Sequence, residues 1–213
     1  MSRRLPLFPL PGVVLLPGTL LPLHIFEARY RAMVADALEA DRTIGMAMMK
    51  PGWESTEEAP EIYPIGGAGE IVDSEPLEDG RYNIVLAGRF RFRVIAESLP
   101  DPYRVGEVEE LVSVPFADPA EQDRAVSLAV SLFADIHRHL ELSPLPSEPM
   151  AAERLASEIA LRLRYAPAEL QSLLETDSLA RRFESLVGRM LEWRGRIQFL
   201  APFRPTEIDP RRN

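Results

Sequence analysis

Near Pro115 the spacing of apolar residues changes from strand-like to helical, and no other feature constrains the fold of this chain as strongly. Before it lie short runs that are apolar or alternating: Leu5 to Leu10, Val13 to Leu16, Leu21 to Phe26, Thr43 to Met49, Ile62 to Ile65, Tyr82 to Ala87, Phe90 to Ile95 and Tyr103 to Val114. The prolines in the first of them suit edge or rim strands. One helix interrupts the series, predicted from Glu27 to Ala40 because Tyr30, Met33, Val34, Ala37 and Leu38 share a face at helical spacing. Asp79-Gly80 is a hairpin turn signal. Gly66, Gly67 and Gly69 predict a bulge or close backbone packing. Six or more strands around one helix predict a closed or nearly closed barrel, because closure removes exposed edges.

Beyond Pro115, Asp118 is the expected N-cap, with Pro119 at the first helical position and Glu121 at the third. Its helix is predicted to run to about Leu140, with Val126, Ala129, Val130, Phe133, Ile136 and Leu140 facing the core. Leu128 and Leu132 lie off that stripe and leave a homodimer open. Three more helices are expected: Met150 to Tyr165, Pro167 to Glu175, and one capped by Asp177 or Ser178 that ends near Phe199. Four helices with no internal repeat must bury their stripes against one another. The class is therefore α+β.

Charge and composition narrow the functions available. The 213 residues carry a formal charge of −9 and no cysteine. A disulfide framework, a thiolate metal site and a cysteine nucleophile are excluded, and a reducing compartment is expected. The acidic balance disfavours nucleic acid, whose phosphates need a basic surface. The apolar opening, Leu5 to Phe26, resembles a signal peptide until its prolines are counted: Pro6, Pro9, Pro11, Pro17 and Pro22 break any helix it would form. No other run approaches a membrane span. A cytoplasmic location is the expectation.

The search for catalytic chemistry comes back nearly empty. The single lysine, Lys50, precedes Pro51, so neither a phosphate-binding Gly-Lys-Ser/Thr loop nor a Ser-Lys dyad has a context. Counting from Gly67, the third glycine of a dinucleotide fingerprint falls on Val72. His137 and His139 sit about 200° apart on a helix and cannot share a metal ion. His24, alone on an apolar strand, reads as a hydrogen-bonded structural group, and Glu54, Glu57, Glu58 and Glu61 read as a solvated acidic loop. No catalytic residue, cofactor or metal site is expected. A small-molecule hydrolase would rest only on scattered carboxylates.

Two features point to binding. Arg89, Arg91 and Arg93 alternate with Phe90, Phe92 and Val94, which places guanidiniums about 7 Å apart on the outward face of one strand. Such a row can take phosphates or acidic segments of a partner, or form an ordinary solvated face paired with Glu107 and Glu109, and the latter is favoured. Trp53 stands in a polar loop, either tucked back as an anchor or offered to a partner.

The opening, Leu5-Pro6-Leu7-Phe8-Pro9-Leu10 through Pro17-Gly18 to Leu21-Pro22-Leu23-His24-Ile25-Phe26-Glu27-Ala28-Arg29-Tyr30, resembles that of the Lon protease N-terminal domain. Ile65 to Ile71, Asp79 to Phe92 and the helical portion, especially Leu170 to Leu191, extend the resemblance in order over about residues 5 to 200. It implies a PUA-like mixed barrel over 5–115, a four-helix, bundle-like subdomain over 116–200 and a flexible tail over 201–213. In Lon proteases this region engages substrates and supports assembly, and ATPase and Ser-Lys protease modules follow it. Neither module is present in these residues. The expectation is a stand-alone, non-catalytic module that recognises unfolded or partner polypeptides, with Trp53, Arg89, Arg91 and Arg93 as candidate contacts. The alternative is RNA binding through the Arg89/Arg91/Arg93 face, as PUA-like folds resemble RNA-binding domains.

Overall fold

A computed structural model of the chain describes residues 2–52, 54, 60–98 and 102–200. Its strands are β1 (Ser2–Leu10), β2 (Leu20–Ile25), β3 (Thr43–Met48), β4 (Ile65–Pro76), β5 (Tyr82–Ser98) and β6 (Val105–Leu111). Helix α1 (Ala28–Glu39) lies between β2 and β3, and α2 (Pro119–Ile136), α3 (Ala152–Arg162), α4 (Pro167–Glu175) and α5 (Leu179–Leu200) follow the last strand.

The strands run in the order β2-β5-β4-β3-β1-β6, and β5 also pairs with β6. Five strands therefore close into a ring, and β2 is added to the outside of β5. The pair β1–β3 is parallel and the others are antiparallel. The two expected strands at Tyr82–Ala87 and Phe90–Ile95 are one continuous strand, because each end of β5 has its own partner, β2 or β6, while β4 runs beside most of its length. Of the two places expected for the prolines of β1, edge or rim, the edge does not apply, since β1 is paired on both sides. Residues 2–6 pair with β6 and residues 7–10 with β3, so each half of β1 has one ladder in register and tolerates a missing N–H. The true edge strand is β2, and it carries Pro22.

Helix α1 turns Tyr30, Met33, Val34 and Ala37 inward, as its spacing predicts, onto Phe8, Ile25, Ile44, Ile71, Ile84 and Leu86. The Tyr30 and Phe8 rings lie 4.2 Å apart. In the second half Asp118 caps α2 by accepting from the Ala120 N–H at 2.9 Å. That helix is shorter than expected, and its stripe is shifted: Ala129, Leu132, Phe133 and Ile136 are buried while Val130 is exposed. Leu132 is thus spent in the bundle, whereas Leu128 is exposed. Leu155, Ile159, Leu173, Leu174, Phe183, Leu186 and Met190 complete the helical core.

Residues 13–16, expected to be a strand, pair with none. They cross between barrel and helices instead. The turns Pro11-Gly12 and Pro17-Gly18 bracket them, with positive φ at Gly12 (68°) and Gly18 (78°), where proline presets one residue and glycine allows the next. Leu15 drops into the barrel core and Leu16 into the helical core. The segment can lie this close because the barrel offers glycines beneath it. A Cβ on Gly67 would sit 1.9 Å from the Leu15 carbonyl oxygen, and one on Gly88 would sit 2.2 Å from that of Leu16. The glycine cluster is thus both of the things expected of it, a close approach and, between Ala68 and Gly69, a register shift.

Replacing Gly67 by alanine is expected to destabilise the chain by about 3 kcal/mol, since the clash is with backbone and cannot be relieved by a rotamer change. Gly188 of α5 has nothing within 4 Å of its would-be Cβ, and Gly188→Ala should instead stabilise by about 0.5–1 kcal/mol. Urea unfolding midpoints of the two variants check both signs.

Candidate functional site

The predicted arginine row is split by the helical layer. Arg89 pairs with Glu70 at 2.7 Å and Arg93 with Glu109 at 3.6 Å, both exposed. The Arg93 pair is the cross-strand partnership anticipated for a solvated face. Arg91 does not face solvent. It is 1% exposed, and its Nη1 donates to the Leu174 carbonyl at 2.8 Å and to Asp177 at 3.0 Å. The reason is coverage: outward from the barrel at this point means into the helices. Leu174 lies in the last turn of α4, whose free carbonyls carry the negative end of the helix dipole and favour a cation.

A second buried arginine extends this joint. Arg182 of α5 donates to Glu153 of α3 at 2.9 Å, to Ser113 at 3.0 Å and to the Thr176 carbonyl at 2.7 Å. Ser113 in turn donates to Glu153. Burial pushes the Glu153 carboxyl up, but the Ser113 and Arg182 hydrogen bonds and the charges of Arg182 and Arg91 outweigh it and hold the group below its ordinary value. Burial lowers the Arg182 guanidinium from its ordinary value. Gln171 adds a third tie, donating to the Ile65 carbonyl of β4 at 2.9 Å.

Other sequence candidates separate in space or fall outside view. Trp53 and residues 55–59 lie outside the described residues, as does the tail from 201. Lys50 pairs with Glu61 at 3.1 Å. His24 is hydrogen-bonded, as expected of a structural group: its Nδ1–H donates to Asn83 at 2.8 Å, since the Asn83 amide N–H is committed to Glu75 at 2.9 Å. That assignment leaves Nε2 to accept from Arg81 at 3.3 Å. Among the described residues no group of three or more His, Asp or Glu is placed to hold a metal ion.

The sequence did not disclose the open outer face of β2, β5 and β4. Along β2, Leu21, Leu23 and Ile25 pack inward while Leu20, Pro22 and His24 point out. Leu20 is 66% exposed, Phe26 just beyond is 62%, and Val72 at the β4 bulge is 47%. Two cross-strand rows follow from the register: Asp73–Val85–Pro22 and Glu75–Asn83–His24. They enclose a shallow pocket of about 390 Å³. The run from Leu20 to Phe26 hid this face because it is apolar on both sides, so no alternation marks which side is covered. A second cleft, between α4 and α5, is bridged by the Arg189–Glu169 ion pair, with Arg189 also over the Tyr165 ring.

The protein is a five-strand ring with an added edge strand, closed on one side by four helices through a buried polar joint. Comparison with known proteins gives it a family. Residues 4–192 match the family described as the ATP-dependent protease La (LON) substrate-binding domain, and the chain belongs to that family. It is 30% identical to the Lon N-terminal domain protein of Xanthomonas campestris, with a TM-score of 0.64, covering 87% of this chain and 98% of that one. The N-terminal domain of a Mycobacterium avium complex Lon protease, 17% identical with a TM-score of 0.63 and covering 91% of this chain and 98% of that one, shares the fold. Among curated proteins, the chain is 29% identical over 193 residues to Lon protease 2 of Myxococcus xanthus, covering 84% of this chain. It is 26% identical over 195 residues to Lon protease of Escherichia coli K12, covering 88%. It spans 22% and 24% of the length of those two relatives.

Because Arg91 is buried and Arg89 is not, the two should differ sharply on substitution. Arg91→Met is expected to cost about 2–3 kcal/mol by leaving the Leu174 carbonyl unpaired, and Arg89→Ala less than about 1 kcal/mol. The lowered Glu153 also predicts an acid limb. Its contribution is full above the unfolded carboxylate value, about 4.3, and is lost as pH falls through the lower folded value. Glu153→Gln should flatten the fall in urea midpoint below about pH 5.

Proposed function

We propose that this chain is a non-catalytic polypeptide-recognition module that binds extended, partly unfolded segments on the outer face of β2, β5 and β4. The observation that carries this reading is the match to a substrate-binding domain family across both the barrel and the helices. The proteins it resembles are named as proteases, and the matched region is the fraction of them that this chain spans. Recognition without chemistry also accords with a sequence that offers no usable nucleophile, phosphate loop or metal set. We place its work in the cytoplasm, on the absence of cysteine and the kinship with Lon proteases; among the described residues no helix is long and apolar enough to cross a membrane.

The placement of the site follows from what the fold leaves uncovered. Leu20 and Pro22 on β2, Phe26 just beyond it and Val72 on β4 are exposed on this side of the sheet, and exposed apolar side chains on one face mark an interaction site. The arginine row that would have served RNA is not available as a row, since Arg91 is inside and its neighbours are paired.

Fluorescence anisotropy against labelled peptides from a denatured model protein tests the proposal. Apolar-rich peptides should bind, and Leu20→Glu with Phe26→Glu should weaken them about tenfold or more, given about 1.5–3 kcal/mol for each large apolar side chain desolvated. The urea midpoint of that double variant should stay near the parent value, because both positions are exposed. No detectable binding of any peptide would overturn the reading.

A further inference from the structure

We propose that the pocket between β2, β4 and β5 receives a lysine or arginine side chain, so that the preferred ligand is an extended segment with a cationic residue flanked by apolar ones. This rests on the polypeptide-binding reading above and specifies its substrate class. The two cross-strand rows carry the argument. Asp73 and Glu75 stand on β4, on the same face and two residues apart, about 7 Å along the strand. Val85 and Pro22 continue the first row as an apolar floor, and Leu20 lies one step further along β2. The face is thus divided lengthwise, acidic along β4 and, apart from His24, apolar along β2. A long cationic side chain matches that division, since its methylene stem packs on apolar atoms while its head stays with carboxylates.

The carboxylates are available to a ligand. The Asp73 carboxylate takes part in no hydrogen bond or ion pair among the described residues. Glu75 accepts from Asn83 through one oxygen, Oε2. The nearby cation, Arg81, is engaged by Asp79 through Nε and Nη2, both at 2.6 Å. The next acid along β4, Glu70, is already held by Arg89 and takes no part. The Glu75–Asn83–His24–Arg81 chain of hydrogen bonds holds the far wall in place, so the pocket is formed before a ligand arrives. An extended ligand repeats its side chains at the same interval as the rows beneath it. With a cation held by Asp73 and Glu75, the next ligand residues on the same side, about 7 Å away, can meet the apolar side chains of this face.

The experiment uses the full chain and three labelled peptides of one apolar sequence whose central residue is Arg, Gln or Glu. The Arg peptide should bind about tenfold more tightly than the Glu peptide at low salt, with the Gln peptide between them and the gap closing as salt rises. The Asp73→Asn, Glu75→Gln double variant should lose the discrimination while still binding the Gln peptide, and Asp73→Arg should reverse the order. Equal affinity for the three peptides, or a preference that survives in the double variant, overturns the cationic pocket and leaves polypeptide recognition standing. Failure of all three to bind overturns both. The urea midpoint of each variant shows that the fold is retained.

Discussion

The contact between the Leu15 and Leu16 carbonyls and the bare backbone at Gly67 and Gly88 sets the spacing of everything else in this molecule. Four residues lie flat between two layers, and neighbouring side chains enter opposite cores. Each buried leucine contributes about 1.5–3 kcal/mol, but the geometric effect is larger than that figure. With a side chain at either glycine, the crossing strap would ride higher, and Leu15 and Leu16 would sit less deeply in their two cores. The hydrogen bonds from Gly18 N–H to the Gly88 carbonyl and from Gly88 N–H to the Thr19 carbonyl, both 2.8 Å, tie the strap's end to β5.

Where the strap ends, the joint becomes polar. Arg91 and Arg182 are both nearly fully buried and are held by helix-end carbonyls, Asp177, Glu153 and Ser113. Buried ion pairs add little net stability, because desolvation consumes most of the attraction. Their effect is directional: a planar guanidinium satisfied by a particular carbonyl permits one docking of α4 and α5 on β5, where an apolar seam would permit several. This joint faces away from solvent, whereas the outer face of β2 stays open. The strand β5 thus lies under an uncovered face at one end and under the helices at the other.

Much of this was legible from residues, and the failures have a common cause. The period change near Pro115, the Asp118 cap, the inward face of α1 and the close packing at the glycines were all readable, because each is local chemistry. The family resemblance also held. What the residues could not tell was which outward face another layer would cover. Arg91 sits in perfect alternation with Arg89 and Arg93, and nothing near it in sequence says that α4 will arrive above it. Val13 to Leu16 looked like a strand because a strap contacting two cores is as apolar as a strand contacting one. The exposed face of β2 was not legible either, because its run is apolar on both sides and no alternation marks which side is covered.

Leu16 has a kinetic meaning as well as a packing one. Its core partners lie on helices that begin only at Pro119, and the ring itself cannot close until β6 returns to β1. Contacts so distant along the chain make folding slow, since the ordering cost of long loops precedes any gain from the contacts they permit. During synthesis the strap would wait with one leucine uncovered and β1 short of a partner. Cover for Leu16 therefore waits on the helices even after all the strands of the ring are present. The strap thus stays partly uncovered until the helical layer arrives.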